Sequence, residues 1–464
     1  MNIRAAYMVP HPPLIIPEIG RGQEKGIQAT IDSYNKVAEE VRKENPDTIV
    51  ITSPHSIMYA DYFHISPGTK AKGDFSNFGA SQVSFEVEYD YEFADCLTTL
   101  AEKNDISAGY LGEQDKRLDH GTMIPLYFIQ KAYGGTFPGK IVRIGLSGLS
   151  FEEHYRLGQM IQRTSIELNR KIVFIASGDL SHRLKKEGPY GYKKEGPEYD
   201  KQIMSYVSKA DFLNLILMKE KFCDLAGECG QRSFCIMAGA LDGLEVLANA
   251  LSYEGPFGVG YGVVSFHPTG YDEKNKVLEQ AIQEKKNRRI QRKEKEDSYV
   301  KLARTSLEEY VCSGNHIPVP GNLPKELLNR RAGCFVSLKK DGVLRGCIGT
   351  IAPTKQTLAE EIIENAISAA SKDPRFEPIE QEELEDLEYS VDVLGETEKI
   401  TDPKELDVKK YGVIVSKGYK RGLLLPNLEG IDTVEEQIRI AKQKAGISEK
   451  ETVSLERFEV VRHF

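Results

Sequence analysis

Three runs of almost entirely apolar and β-branched residues, 3–9, 48–52 and 172–177, are each closed by Pro, Gly or Ser and read as strands buried on both faces. Such strands suit a parallel or mixed sheet covered by helices. Residues 22–43 place Ile27, Ile31, Val37 and Val41 at helical spacing among polar neighbours, so the chain opens as a strand–helix–strand unit. Residues 89–104 and 151–170 read as further helices, 140–147 as another strand, and the apolar run 234–250 as a helix. A glycine-rich turn at 258–262 precedes a closing strand at 263–267. The pattern predicts an α/β fold: an N-terminal three-layer α/β domain with a mostly parallel or mixed central sheet.

The character of the sequence then changes. Residues 273–309 are strongly charged, with seven basic residues and one acidic between Lys285 and Lys295. A run of this kind is usually a solvated helical face, and it reads as a linker helix. Beyond it, strand signals at 333–339, 389–394, 413–416 and 422–425 and a helix at 358–370 predict a smaller C-terminal α+β domain. The expected division is 1–270, a charged linker helix over 271–297, and 298–464, with the two domains separable by protease near Lys285–Lys295. A chain of 464 residues exceeds what one core usually supports, which agrees with two domains. A net charge of −9 argues against DNA or anionic membranes as partners. The start lacks a signal-peptide core and no apolar run is long enough to span a bilayer, so a cytoplasmic location is expected. Seven cysteines without paired spacing fit a reducing compartment and give no zinc-ribbon signal.

Candidate chemistry gathers on four of the nine histidines: His11, His55, His120 and His182 each sit at or just after the end of an apolar run. Residues just past the carboxyl ends of such strands converge on one crevice however far apart they lie in sequence. After His182 a loop carries a short duplication, Lys-Lys-Glu-Gly-Pro at 185–189 and again at 193–197, and reads as either a lid or a mobile surface segment. Glu228 lies between glycines ahead of an apolar run, next to Cys229. In the second domain the densest feature is Arg345-Gly346-Cys347-Ile348-Gly349, whose glycines imply unusual φ values or close approach by another group. Cys347 beside Arg345 is either a reactive thiol near a cation or a small buried cysteine.

The early His-Pro-Pro, Ser-Pro-His after the second strand, Asp119-His120-Gly121, Ser181-His182 and Glu228 ahead of Met237-Ala238-Gly239-Ala240-Leu241 give residues 1 to about 270 a family likeness. This region resembles the class III extradiol ring-cleavage dioxygenase (LigB-type) superfamily, which also includes Memo proteins. Leu344-Arg345-Gly346-Cys347-Ile348-Gly349 and Asp373-Pro374-Arg375-Phe376 resemble the AMMECR family. The fusion is similar to the AmmeMemoRadiSam system family, which implies a radical-SAM protein as partner. The first resemblance implies a non-haem Fe(II) centre, with Zn or Mn as alternatives, held by His11, His55 and Glu228, with Cys229 as the alternative third ligand. It further implies His182 as acid/base, His120 positioning O₂ or a substrate oxygen, and a small catecholic or related aromatic substrate cleaved with O₂. Asp119 is expected to orient a histidine tautomer. Two other readings stand beside this one: a Memo-like metal-binding protein that is not an oxygenase, and a zinc hydrolase. Association into a homo-oligomer is compatible with the sequence.

Overall fold

The computed structural model describes residues 1–340, 342–428 and 430–464. The chain divides into two compact units, Met1–Glu284 and Lys285–Phe464.

In the first unit, strand β1 (Ile3–Val9) is followed by helices α1 (Pro17–Gly20) and α2 (Gln28–Glu44) and then strand β2 (Thr48–Ser53). A two-residue pair, β3 (Phe63–His64) and β6 (Ala108–Gly109), and a hairpin, β4 (Lys70–Phe75) and β5 (Ala80–Glu88), lie around α3 (Tyr91–Lys103) and α4 (His120–Ala132). Strands β7 (Lys140–Gly145) and β8 (Ile172–Ser177) flank α5 (Phe151–Glu167). Then come α6 (Glu195–Val207), α7 (Phe212–Ile216), α8 (Glu220–Ala226), α9 (Gln231–Ala240), β9 (Leu244–Glu254) and β10 (Tyr261–Tyr271).

The central sheet has the order β7-β2-β8-β1-β10-β9. The first four strands are parallel, β10 joins β1 antiparallel, and β9 joins β10 antiparallel. Side chains alternate between two cores. Ala6, Met8, Val50, Phe174 and Ala176 pack with α3, α5, α6, α7 and α9 on one face, while Tyr7, Val9, Ile49, Ile51 and Ile175 pack with α2, α4 and the β4–β5 hairpin on the other. Both faces are covered, which is why β2 and β8 are buried at every position and read as continuous apolar runs.

The run 234–250 is not one helix. α9 ends at Ala240, and Gly243, at φ +69°, turns the chain into β9. Asp242 at this break accepts hydrogen bonds from Tyr155 and Gln159, so its charge stays partnered where a continuous helix would have carried it on an apolar face. α5 and α9 pack backbone to backbone: a Cβ at Gly158 would lie 2.0 Å from the Ile236 carbonyl oxygen.

The charged segment forms α10 (Val277–Lys295) and leads into α11 (Ser298–Ser313). Val277 and Ala281 are buried in the first unit's core. Beyond Lys285 the helix belongs to the second unit, where Arg292 Nη1 donates to Glu388 at 2.9 Å and Arg289 pairs with Glu385 and Asp386. The stretch read as a charged linker helix is helical, and its second half carries ion pairs within the second unit.

The second unit continues with α12 (Lys325–Asn329), β11 (Cys334–Lys340), β12 (Val343–Gly349), α13 (Leu358–Ser371), β13 (Leu387–Leu394), β14 (Glu398–Ile400), β15 (Gly412–Lys417), β16 (Lys420–Leu424), α14 (Val434–Lys444), β17 (Ser454–Phe458) and β18 (Val460–His463). Two antiparallel sheets result, β12-β11-β13-β18 and β14-β17-β15-β16. α11 and α13 cover the first and α14 the second. Among the described residues no helix is long and apolar enough to cross a membrane.

Candidate metal centre

β1, β2 and β8 all end at the same edge of the sheet, and each delivers a polar residue there. His11 follows β1 and is 2% exposed. Its backbone N–H donates to Asp179 Oδ1 at 2.7 Å, and its Nδ1 lies 2.9 Å from the hydroxyl of Ser177, the last residue of β8. That hydroxyl donates to the Gly121 carbonyl at 2.6 Å, so its lone pairs face His11 and the Nδ1 carries the proton. The His11 Nε2 is left with a bare lone pair, aimed at His55 Nε2 3.0 Å away. One ring nitrogen from each of His11, His55 and His120 lies within 4.8 Å of the others.

Burial lowers the pKa of all three. His11 is held well below the ordinary imidazole range by burial and then by His55, His55 is lowered by burial, and His120 is pushed down to about 3 by burial and then by the other two rings. Neutral imidazoles with converging lone pairs are what a divalent transition ion binds. The residues present therefore fit a metal.

His120 opens α4, and the capping residue Asp119 fixes it there. Asp119 accepts from Thr122 N at 3.0 Å, Thr122 Oγ1 at 2.9 Å and Ser53 Oγ at 2.5 Å, and lies 3.7 Å from Arg143. Burial opposes its ionisation, but the Ser53 and Thr122 hydrogen bonds and the Arg143 charge outweigh that and hold its pKa below the usual range. Among the described residues no hydrogen bond joins Asp119 to an imidazole. Expected to orient a tautomer, it instead ties the start of α4 to the end of β2. Gly121 permits this approach: a Cβ there would meet Ser53 Oγ at 2.4 Å.

Glu228, expected as the third ligand, turns its carboxylate to the backbone N–H of Gln231 at 2.6 Å, at the start of α9. Burial raises its pKa to about 7. Its neighbour faces the imidazoles, with Cys229 Sγ 3.5 Å from His11 Nε2. The local backbone explains the exchange: Gly178 and Gly230 press together so closely that a Cβ on Gly178 would lie 2.2 Å from Gly230 Cα. Asp179 N then donates to Cys229 Sγ at 3.2 Å, which points the thiol inward and the glutamate out. His182 stands outside the three-imidazole group, its ring 5.0 Å from that of Tyr190 in the duplicated loop. Burial lowers its pKa against the opposing pull of Asp179. Beside the imidazoles opens a cleft of about 430 Å³ lined by His55, Phe78, Arg117, Asp119, His120 and Arg143, among others.

Sequence reasoning missed Ser53, Ser177, Asp179 and Arg143. Arg143 was the most findable, an arginine inside the apolar run of β7 that is only 2% exposed and whose Nε donates to Ser66 Oγ at 2.6 Å. In the second unit, Arg345 forms a paired contact with Glu383, Nε–Oε1 2.9 Å and Nη2–Oε2 2.8 Å. Gly346 and Gly349 answer to close approach: Cβ atoms there would lie 2.3 Å from the Ala369 carbonyl oxygen and from Phe335.

The family described as "Catalytic LigB subunit of aromatic ring-opening dioxygenase" matches residues 5–264. The chain belongs to the LigB family. Its LigB domain is fused to an AMMECR1 domain over residues 300–463. A Clostridium acetobutylicum protein is 43% identical across all of this chain and 99% of its own length, and so shares the fusion. A Thermotoga maritima protein is 56% identical over 36% of this chain and 98% of its own length. Among solved structures, a Pyrococcus horikoshii protein is 36% identical over 35% of this chain and 88% of its own, with a TM-score of 0.34.

The LigB domain's buried imidazoles carry an expectation for pH. His120 and His154 are held at about 3 and His64 at about 4 by burial, while the unfolded chain protonates its histidines near 6.5. Folded pKa values below the unfolded ones mean that the unfolded state binds more protons below about pH 6.5, so stability falls as the pH drops from there. Asp179, Asp200 and Glu228, raised to about 6, 7 and 7, act in the opposite sense but are fewer than the six lowered imidazoles. Urea denaturation of chelator-treated protein should show a loss of several kcal/mol between about pH 6.5 and 4, at about 1.4 kcal/mol per proton per pH unit. A flat profile would mean these rings are not held neutral.

Proposed function

We propose that the LigB domain is a Memo-like metal centre, with His11, His55 and Cys229 holding one divalent transition ion and His120 beside it as a further donor. The observation that supports this most is the Cys229 thiol at 3.5 Å from the bare Nε2 of His11, with Glu228 turned to the backbone of α9. A mixed imidazole and thiol set suits Fe(II) or Zn better than Mn. When bound, the ion supplies Lewis acidity and, as iron, redox chemistry. The chain's own residues do the rest. Arg143 and Asp119 shape the wall of the cleft that receives a small substrate, Phe78 offers an apolar face 5.3 Å from the His120 ring, and His182, neutral near pH 7, accepts a proton beneath Tyr190. A radical-SAM protein as partner belongs to this reading, supported by the fusion with an AMMECR1 domain.

Extradiol cleavage of a catecholic substrate with O₂ on Fe(II) is the second reading. The family description favours it, as do His120, its ring 3.9 Å from that of His55, and His182, which interacts electrostatically with His11 and His55. It requires a carboxylate ligand, and Glu228 would have to leave the Gln231 N–H to provide one. Anaerobic purification with metal analysis, followed by oxygen uptake against a panel of catechols, separates the two. The Memo-like reading expects one metal per chain and no catechol-dependent uptake. Stoichiometric uptake with ring opening would overturn it in favour of the dioxygenase.

A further inference from the structure

The two sides of the central sheet in the first unit are finished differently. At one side β7 is covered, with bridges from Ile65 to Ile144 and from Tyr89 to Ile141. At the other side stands β9, eleven residues long, whose ladder runs only to β10. Among the described residues no further backbone–backbone hydrogen bond engages residues 245–254, so the outward amides and carbonyls of β9 form a bare edge. Sheets blunt such an edge with lysine, proline or charge, because it pairs with any strand that meets it. From Val246 to Tyr253 this strand has none of these. Val246 and Ala248 pack against the core shared with α5 and α9. Leu247 alternates to the opposite face, in register with His267, and is 63% exposed. Glu245 and Asn249 share its face, and their side chains are exposed with no hydrogen-bond partner among the described residues.

We propose that β9 pairs antiparallel with β9 of a second copy of this chain, about a two-fold axis at Leu247, joining two six-stranded sheets into one. The strand is complementary to itself in this register. Leu247 meets the partner's Leu247, Val246 meets the partner's Ala248, and the Glu245 carboxylate meets the partner's Asn249 amide, an acceptor opposite a donor. The two-fold repeats each of these contacts, so both unpartnered polar side chains are answered by the same strand that carries them. Neighbouring registers lose this match. An axis at Val246 sets Glu245 against Leu247, and an axis at Ala248 sets Leu247 against Asn249 and carries the pairing onto Leu251, which is an extra residue in the ladder with β10. A second copy is therefore the occupant that the side chains of this edge fit.

Sedimentation velocity of the full-length protein at micromolar concentration should give twice the 52.0 kDa chain mass. Leu247→Lys sets two like charges opposite each other on the axis and should return the protein to monomer. The lysine replaces an exposed side chain, so circular dichroism should be unchanged. Cysteine variants read the register independently of that substitution. Directly opposed Cβ atoms lie about 4.5–5.5 Å apart, so mild oxidation of Leu247→Cys should give a disulfide between the two 247 positions, identified by peptide mass spectrometry. In Asn249→Cys the two thiols would stand about four residues apart along the strands, roughly 13 Å, and should not join. A monomeric native protein overturns the proposal. So does a dimer that persists in Leu247→Lys, or cross-linking at 249 that equals or exceeds that at 247.

Discussion

His11→Ala and His55→Ala should each leave the purified protein without its metal. Both rings are neutral, their Nε2 atoms face each other at 3.0 Å, and the His11 Nε2 lone pair is fixed by the Ser177–Gly121 relay behind it. Removing either ring takes away half of that pair, and no carboxylate joins the three-imidazole group among the described residues. Ser177→Ala tests the relay itself. It leaves every donor in place but frees the His11 tautomer, and it should weaken metal binding by about 10- to 100-fold, the range seen when the partner of a ligating histidine is lost. Metal content after equilibrium dialysis measures all three. Full occupancy in both alanine variants would show that the ion, if present, binds elsewhere.

The second large effect separates Cys229 from Glu228. Cys229→Ser should lose most of the bound metal, because a hydroxyl replaces the thiol that lies 3.5 Å from His11 Nε2. Glu228→Gln should keep the metal. Its carboxylate is occupied at the Gln231 N–H, and with a pKa raised to about 7 it is partly protonated near neutrality, so the neutral amide costs little there. Metal retained in Cys229→Ser but lost in Glu228→Gln would reverse the assignment and restore the dioxygenase ligand set.

Much of this architecture is legible in the sequence because burial writes itself into it. Strands covered on both faces, such as β2 and β8, must be continuously apolar, and the histidines that end them then have to meet at one edge of the sheet. The choice between Glu228 and Cys229 was not legible. The two are adjacent, and which one faces inward depends on the contact of Gly178 with Gly230, two residues 52 positions apart that no local pattern links. The break between α9 and β9 was hidden for a related reason: the apolar content of 234–250 is the same for a helix followed by a strand as for one helix, and only the left-handed Gly243 separates them. The helix of α10 was legible in its charge run, but the pairing of Arg289 and Arg292 with Glu385, Asp386 and Glu388 about a hundred residues later is not announced by a charge run alone.

The proposed centre is a single transition-metal ion bound jointly by imidazole and thiol at the carboxyl edge of the LigB sheet. X-ray absorption spectroscopy of the metal-loaded protein measures this directly, since sulfur and nitrogen scatter distinguishably, with metal–sulfur near 2.3 Å and metal–nitrogen near 2.0–2.1 Å for zinc. A sulfur shell should appear alongside the imidazole shells, and be absent from any residual metal bound by Cys229→Ser. A spectrum of nitrogen and oxygen shells alone, unchanged in Cys229→Ser, would contradict it.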